Sequence, residues 1–257
     1  MKKKKNMQPI RKEEIADFVG RHINEFHQKR IEKLKRLKLN LVLKRKNPYL
    51  FKAKNVVTAE QLVKGILDAY LSSQEEGIFG EFLEKLAIFV NQEVYNGQKS
   101  SAEGVDLEFI KDNVRYIVSI KSGPYWGNSS QIKRLESNFR KAKKILRTNT
   151  DQSHIFAVNG CCYGKYGPYD RGNYIKICGQ DFWYFISGDE DFYQDIIEPL
   201  GHKAKENNDL FDVEYGKVIN KFNMRFMKDF CSEDGSINWD DLVEYSSGSI
   251  SDYIEVH

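Results

Sequence analysis

Two short runs in which side chains alternate in character, residues 105–111 and 114–121, stand on either side of Asp112-Asn113. Period two is the strand pattern, and a two-residue Asp-Asn pair between such runs is hairpin-turn chemistry. In the first run Val105, Leu107 and Phe109 fall on one face and Asp106 and Glu108 on the other. In the second, Tyr116, Val118 and Ile120 alternate with Ile117, Ser119 and Lys121. Closing the hairpin sets Lys111 opposite Val114. Counting back places Asp106 opposite Ser119 and Gly104 opposite Lys121, so Asp106 and Lys121 become diagonal neighbours on one face. A carboxylate and an ammonium are expected to converge from local rules alone.

The flanking chain reads as mostly helical. Across residues 11–38, Ile15, Phe18, Val19, Ile23, Phe26, Ile31, Leu34 and Leu37 recur at three- and four-residue steps, which describes a long, basic amphipathic helix. Asn47-Pro48 breaks the pattern, and Thr58-Ala-Glu-Gln61 resembles a capping box that opens a second helix through about Ser72. A third helix carries Ile78, Phe82, Leu83, Leu86 and Val90 with Glu81 and Glu84 beside the stripe, and Gly97 ends it. After the hairpin, residues 122–131 form a loop dense in Gly and small polar residues, and a basic amphipathic helix follows. Residues 154–158 and 174–178 read as buried strands around a Gly- and Tyr-rich loop at 159–173, and the chain from Asp181 onward as helical, broken at Pro199-Leu-Gly201.

At 257 residues, with 40% hydrophobic and 13% aromatic content, the chain can bury a core as one elaborated domain or two small ones. No apolar run approaches membrane-spanning length, and the lysine-rich start lacks the apolar stretch of a signal peptide, so the expected location is cytoplasmic. The four cysteines match no paired zinc spacing and are expected as buried thiols. Charge is segregated: residues 1–54 carry net +13, residues 55–180 +2 and residues 181–257 −12. A basic front is the footprint of a polyanion partner; the other reading is a solvated helix plus a lysine tail at residues 2–5.

Phosphodiester hydrolysis needs a cation to neutralise the transition state and an activated water in line with the leaving oxygen. Asp106 suits a hard ion such as Mg²⁺, the Ile120 carbonyl can add an oxygen, and Lys121 can orient or deprotonate the water. The other reading of the same residues is a surface hairpin with cross-strand ion pairs.

In context, the hairpin follows a helix bearing glutamates and precedes a Gly/Asn/Ser/Gln loop and a basic helix. That arrangement resembles the PD-(D/E)xK nuclease superfamily. Asn47-Pro-Tyr-Leu-Phe51, Gly104-Val-Asp-Leu-Glu-Phe109, Val118-Ser-Ile-Lys-Ser-Gly123, Trp126-Gly-Asn-Ser-Ser-Gln131 and Gly160-Cys-Cys-Tyr-Gly164 are similar to blocks of type II restriction endonucleases. The resemblance makes Asp106 the acidic metal ligand and Lys121 the catalytic lysine. Val105 stands where the family pattern has proline, and Ser119 occupies the second acidic position, so a carboxylate must come from elsewhere. Glu84, Glu108 and Glu136 are the candidates, and Glu84 is favoured because an upstream helix packed behind the hairpin can aim one residue at the strand ends.

In the 125–131 loop, Asn128 and Gln131 can bond adenine edges, Ser129 and Ser130 can reach bases or phosphates, and Trp126 can stack. The competing reading is a turn and helix N-cap with Trp126 in the core. Lys133 and Arg134 on the following helix suit phosphate. Together these imply a mixed central β-sheet flanked by helices, a restriction-endonuclease-like core with helical N- and C-terminal elaborations. The expected division is a basic helical region at residues 1–75 and a nuclease domain with helical extension at 76–257. The implied function is Mg²⁺-dependent, sequence-specific cleavage of double-stranded DNA to 5′-phosphate and 3′-hydroxyl ends. The resemblance also implies a homodimer, with the long helix from Arg11 as a contributor, and a cognate DNA methyltransferase as genetic partner. A repair or recombination nuclease of the same fold, or a noncatalytic DNA-binding module with a decayed site, are the alternatives.

Overall fold

A computed structural model describes residues 10–149, 154–165 and 167–249 of the protein. The lysine run at residues 2–5 lies outside the described residues. In chain order the helices and strands are α1 (Lys12–Lys35), α2 (Leu39–Leu43), α3 (Pro48–Ala53), α4 (Ala59–Tyr95), β1 (Gln98–Lys99), β2 (Leu107–Lys111), β3 (Val114–Lys121) and α5 (Ser129–Asn149). They continue as β4 (Ile155–Cys161), β5 (Tyr169–Asp170), β6 (Ile175–Cys178), α6 (Gln180–Ser187), α7 (Phe192–Asp195), α8 (Ile197–Leu200), α9 (Ala204–Phe230) and α10 (Trp239–Ser247). Two compact units emerge, Met1–Phe26 with Ile78–Ala204, and His27–Gly77 with Lys205–His257. They interleave in sequence rather than following one another as a division at residues 75 and 76 expects.

The first unit holds a six-stranded sheet of order β1-β2-β3-β4-β6-β5. β2 and β3 form the expected antiparallel hairpin in register Lys111↔Val114 through Leu107↔Val118. Asp112 (φ 51°) and Asn113 (φ 61°) both take positive φ, as a two-residue turn matched to strand twist requires. β3 then pairs parallel with β4, and β4 parallel with β6, which makes the sheet mixed. Both faces are covered. Leu107, Phe109, Val118 and Ile120 share one core with Leu86 and Val90 of α4 and Phe182 and Ile186 of α6. Ile117, on the opposite face, packs with Leu135, Phe139 and Ala142 of α5. Each large apolar side chain buried this way contributes about 1.5–3 kcal/mol.

Four local expectations change. Val105 joins Ile117 and Phe139 rather than sharing a face with Leu107. Strand alternation begins only at Leu107, after a turn in which Gly104 takes φ 72°. The expected second and third helices are one 37-residue helix, α4. Thr58 opens it, its Oγ1 accepting from the Gln61 N–H at 3.2 Å, and nothing between Ser72 and Ile78 stops it. Gly77 lacks the ring clash of a proline and weakens the helix by only about 1 kcal/mol. The helix ends at Tyr95, where Asn96 (φ 53°) supplies the left-handed stop instead of Gly97. β4 also runs on through Gly160 to Cys161. That glycine serves close packing, because a Cβ there would lie 2.1 Å from the Phe182 ring.

The second unit is helical. Leu34, Leu62, Leu67, Phe226 and Leu242 lie in its core. Arg30 pairs with Glu75 at 2.7 Å and stacks 4.0 Å from the centre of the Phe211 ring, and the Tyr215 hydroxyl donates to Asp68 at 2.6 Å. The apolar stripe of α1 is used in packing, with Ile15, Phe18, Val19 and Ile23 in the first unit's core and Leu34 in the second's.

Candidate active site

Asp106 immediately precedes β2, and Lys121 is the last residue of β3. The Asp106 N–H donates to the Val118 carbonyl at 2.8 Å, one residue out of the ladder's register, which pairs Val118 with Leu107. Beyond that point its side chain takes over the main chain's role: Oδ2 accepts from the Ile120 N–H at 2.7 Å and from Ser119 Oγ at 3.4 Å. Lys121 Nζ lies 3.8 Å from the same oxygen and donates to the Ile120 carbonyl at 2.9 Å. The diagonal pair expected from turn and register is therefore formed. Its side chains are 21% and 30% exposed, so the pair remains open to solvent on one side.

Ser119 is buried, and its hydroxyl spends its contact on Asp106. Of the three glutamates that could replace the acid missing there, Glu84 on α4 lies within the field of both Asp106 and Lys121. Burial first, then the charge of Asp106, raises its carboxyl above the ordinary carboxylate range, while Lys99 and Lys121 pull it down. Lys99 Nζ on β1 is 3.9 Å from Glu84 Oε1. Glu108 is buried and bonded to Ser100 and to Arg115, the latter at 3.3 Å. Glu136 lines a cavity of about 280 Å³ with Trp126, Asn159, Arg171, Tyr174 and Lys176.

Trp126 and the loop do more local work than their sequence suggests. The Lys121 ammonium lies 5.5 Å from the centre of the Trp126 ring. The indole N–H donates to Asn159 Oδ1 at 3.1 Å, and Asn159 Nδ2 donates to the Ser119 carbonyl at 3.2 Å. Sequence reasoning missed Asn159, having placed it in a loop; a polar residue directly after an apolar strand run was the available signal. Asn128 and Gln131 form a reciprocal capping box on α5, with Asn128 Oδ1 accepting from the Gln131 N–H at 3.0 Å and Gln131 Oε1 from the Asn128 N–H at 2.9 Å. Ser129, Ser130, Lys133 and Arg134 are exposed on the first turns, and Arg134 pairs with Glu103 at 2.9 Å.

Asp106, Glu84 and the Ile120 carbonyl are hard oxygen donors, the chemistry Mg²⁺ takes with one or two carboxylates while water and substrate complete its shell. Among the described residues no group of three or more His, Cys, Asp or Glu is placed to hold a metal ion. An ion held by these donors would have to complete its shell with water and substrate oxygens. Cys161, Cys162 and Cys178 are free, buried thiols. Burial, followed by the neighbouring Cys178, pushes Cys161 up to about 12.

A mixed sheet covered by helices on both faces, with an acid and a lysine at the open end of a central hairpin, is a restriction-endonuclease-like fold. Residues 13–208 match the family model of type II restriction endonuclease EcoO109I, and the chain belongs to that family. It is thereby a nuclease of the DNA-binding, hydrolytic class. No curated protein matches the chain. No helix among the described residues is long and apolar enough to cross a membrane.

Proposed function

We propose that the protein is a Mg²⁺-dependent, sequence-specific endonuclease of double-stranded DNA with a PD-(D/E)xK site, acting as a homodimer in the cytoplasm beside a cognate DNA methyltransferase. The observation that carries this reading is the Lys121 ammonium, 3.8 Å from the Asp106 carboxylate and bonded to the Ile120 carbonyl. Asp106, Glu84 and the Ile120 carbonyl would hold the ion. Bound there, Mg²⁺ supplies charge neutralisation at the scissile phosphate and lowers the pKa of water.

Lys121 is held by Asp106 and the Ile120 carbonyl so that its remaining N–H can orient the attacking water or a phosphate oxygen. Trp126 walls one side of that ammonium, and Asn159 fixes the indole. Attack at phosphorus with loss of the 3′ oxygen leaves 5′-phosphate and 3′-hydroxyl ends. Ser129, Ser130, Lys133 and Arg134 are assigned to DNA, the first turn of α5 offering N–H groups and a favourable dipole to phosphate. Asn128 and Gln131 reach bases only by releasing their mutual cap.

The test is incubation with unmodified plasmid or phage DNA, with and without Mg²⁺, beside Lys121→Ala. Discrete fragments are expected only from the wild type with Mg²⁺, with a loss of about 10²–10⁴-fold in rate for the variant. Cleavage confined to branched or damaged DNA would transfer the reading to repair. Binding without cleavage under any divalent ion would make Ser119 the mark of a decayed site.

A further inference from the structure

One face of α9 carries apolar side chains that no element among the described residues covers. Leu210 (60% exposed), Val213 (59%), Met224 (75%) and Met227 (54%) lie there, opposite the buried Phe211, Phe222, Phe226 and Phe230. With the exposed Lys217 and Asn220 they recur at alternating steps of three and four, the seam of a two-helix coiled coil. The spacing is symmetric about the point between Val218 and Ile219. Laid antiparallel on itself, the seam stacks Leu210 on Met227, Val213 on Met224 and Lys217 on Asn220, so apolar layers meet apolar layers and the polar layers meet at the dyad.

Charge selects the same direction. Residues 205–216 carry net −3 and residues 217–230 net +3. An antiparallel pair apposes opposite charges along its whole length, whereas a parallel pair apposes like charges. At a flanking position the dyad also brings Glu214 beside Lys221 of the second copy, a pairing that supplements its bond to Lys217 at 2.8 Å on its own helix.

We infer that this face of α9 is an isologous self-association surface, whose occupant is α9 of a second copy of the chain running antiparallel. The proposal gives the homodimer of the functional reading a surface, and rests on that reading only for the two-fold partner.

The full-length protein, free of DNA and Mg²⁺, is examined by sedimentation velocity and light scattering. The expected mass is twice the 30.0 kDa of one chain. Val213→Glu/Met224→Glu is expected to return it to one chain mass with unchanged circular dichroism, because both positions are exposed. A monomeric wild type, or a double variant that stays dimeric, overturns the proposal. Direction is read by oxidative cross-linking of Leu210→Cys and Met227→Cys chains, with the linked peptides identified by mass spectrometry. Linkage only on mixing the two is expected, since like positions lie about 25 Å apart along antiparallel helices; a disulfide joining two chains of the Leu210→Cys variant alone, through the introduced thiols, contradicts it. None of these readouts involves cleavage, so an inactive dimer would defeat the functional reading and leave this one standing.

Discussion

The Ile120 N–H donates to Asp106 Oδ2 at 2.7 Å, so the carboxylate is anchored to the strand one residue before Lys121. An acid held by the main chain keeps its geometry whether or not the lysine beside it is present. Asp106→Asn can keep that acceptor while losing the charge; Asp106→Ala loses both. Both are expected to lower Mg²⁺-dependent cleavage by at least about 10²-fold. Only the alanine variant is expected to lower the melting temperature appreciably. Equal melting losses in the two would remove the anchoring role.

Glu84 carries a pH signature. Burial and the charge of Asp106 raise its folded pKa, so the folded chain binds that proton more tightly than the unfolded chain. Its contribution to stability is fully present below the ordinary carboxylate pKa and is lost as pH rises through the raised value. Glu84→Gln is therefore expected to melt above the wild type at neutral pH without Mg²⁺, with the gap closing near pH ~4. Adding Mg²⁺ is expected to stabilise the wild type and leave the variant nearly unmoved. A variant that responds to Mg²⁺ like the wild type would strike Glu84 from the ligand set.

Glu108 is expected to act on stability. Its buried carboxylate is bonded to Arg115 and Ser100, and removing one partner of a buried pair strands the other. Glu108→Ala should cost about 3 kcal/mol in urea unfolding. Cleavage by the folded variant should stay near wild type. Full stability with lost cleavage would move the missing acid from Glu84 to Glu108.

The Asn128–Gln131 box separates capping from base reading. Asn128→Ala is expected to cost about 0.5–2 kcal/mol, and Asn128→Ser to recover most of it, because serine also caps. If the side chain reads a base, Asn128→Ser will relax sequence preference in cleavage assays at unchanged stability.

What was legible in the sequence was what local rules control. Asp112-Asn113 and the alternation around it set the register from Lys111 back to Leu107, which brings Asp106, the next residue, to the end of β3 that carries Lys121. The misses share a cause: residue types that serve two masters. Gly160 reads as loop, yet its missing side chain admits Phe182. Residues 73–77 lose apolar periodicity, yet contain nothing that stops a helix, so α4 continues. Asn128 and Gln131 carry amides fit for adenine edges and equally fit for each other. Glu84 could be favoured over its rivals from its helix alone, but the bonds that occupy Glu108 and the cavity that Glu136 lines are tertiary facts.

The two-residue turn at Asp112-Asn113 lies five residue pairs from Asp106, roughly 17 Å along the strands. Side chains change sides with every residue, so inserting one residue at that distant tip, with β3 held by β4, would rotate Asp106 to the face opposite Lys121. The hairpin tip behaves as the site's length gauge: a position remote from the chemistry, restricted to residues that accept positive φ, and sensitive to any change in count.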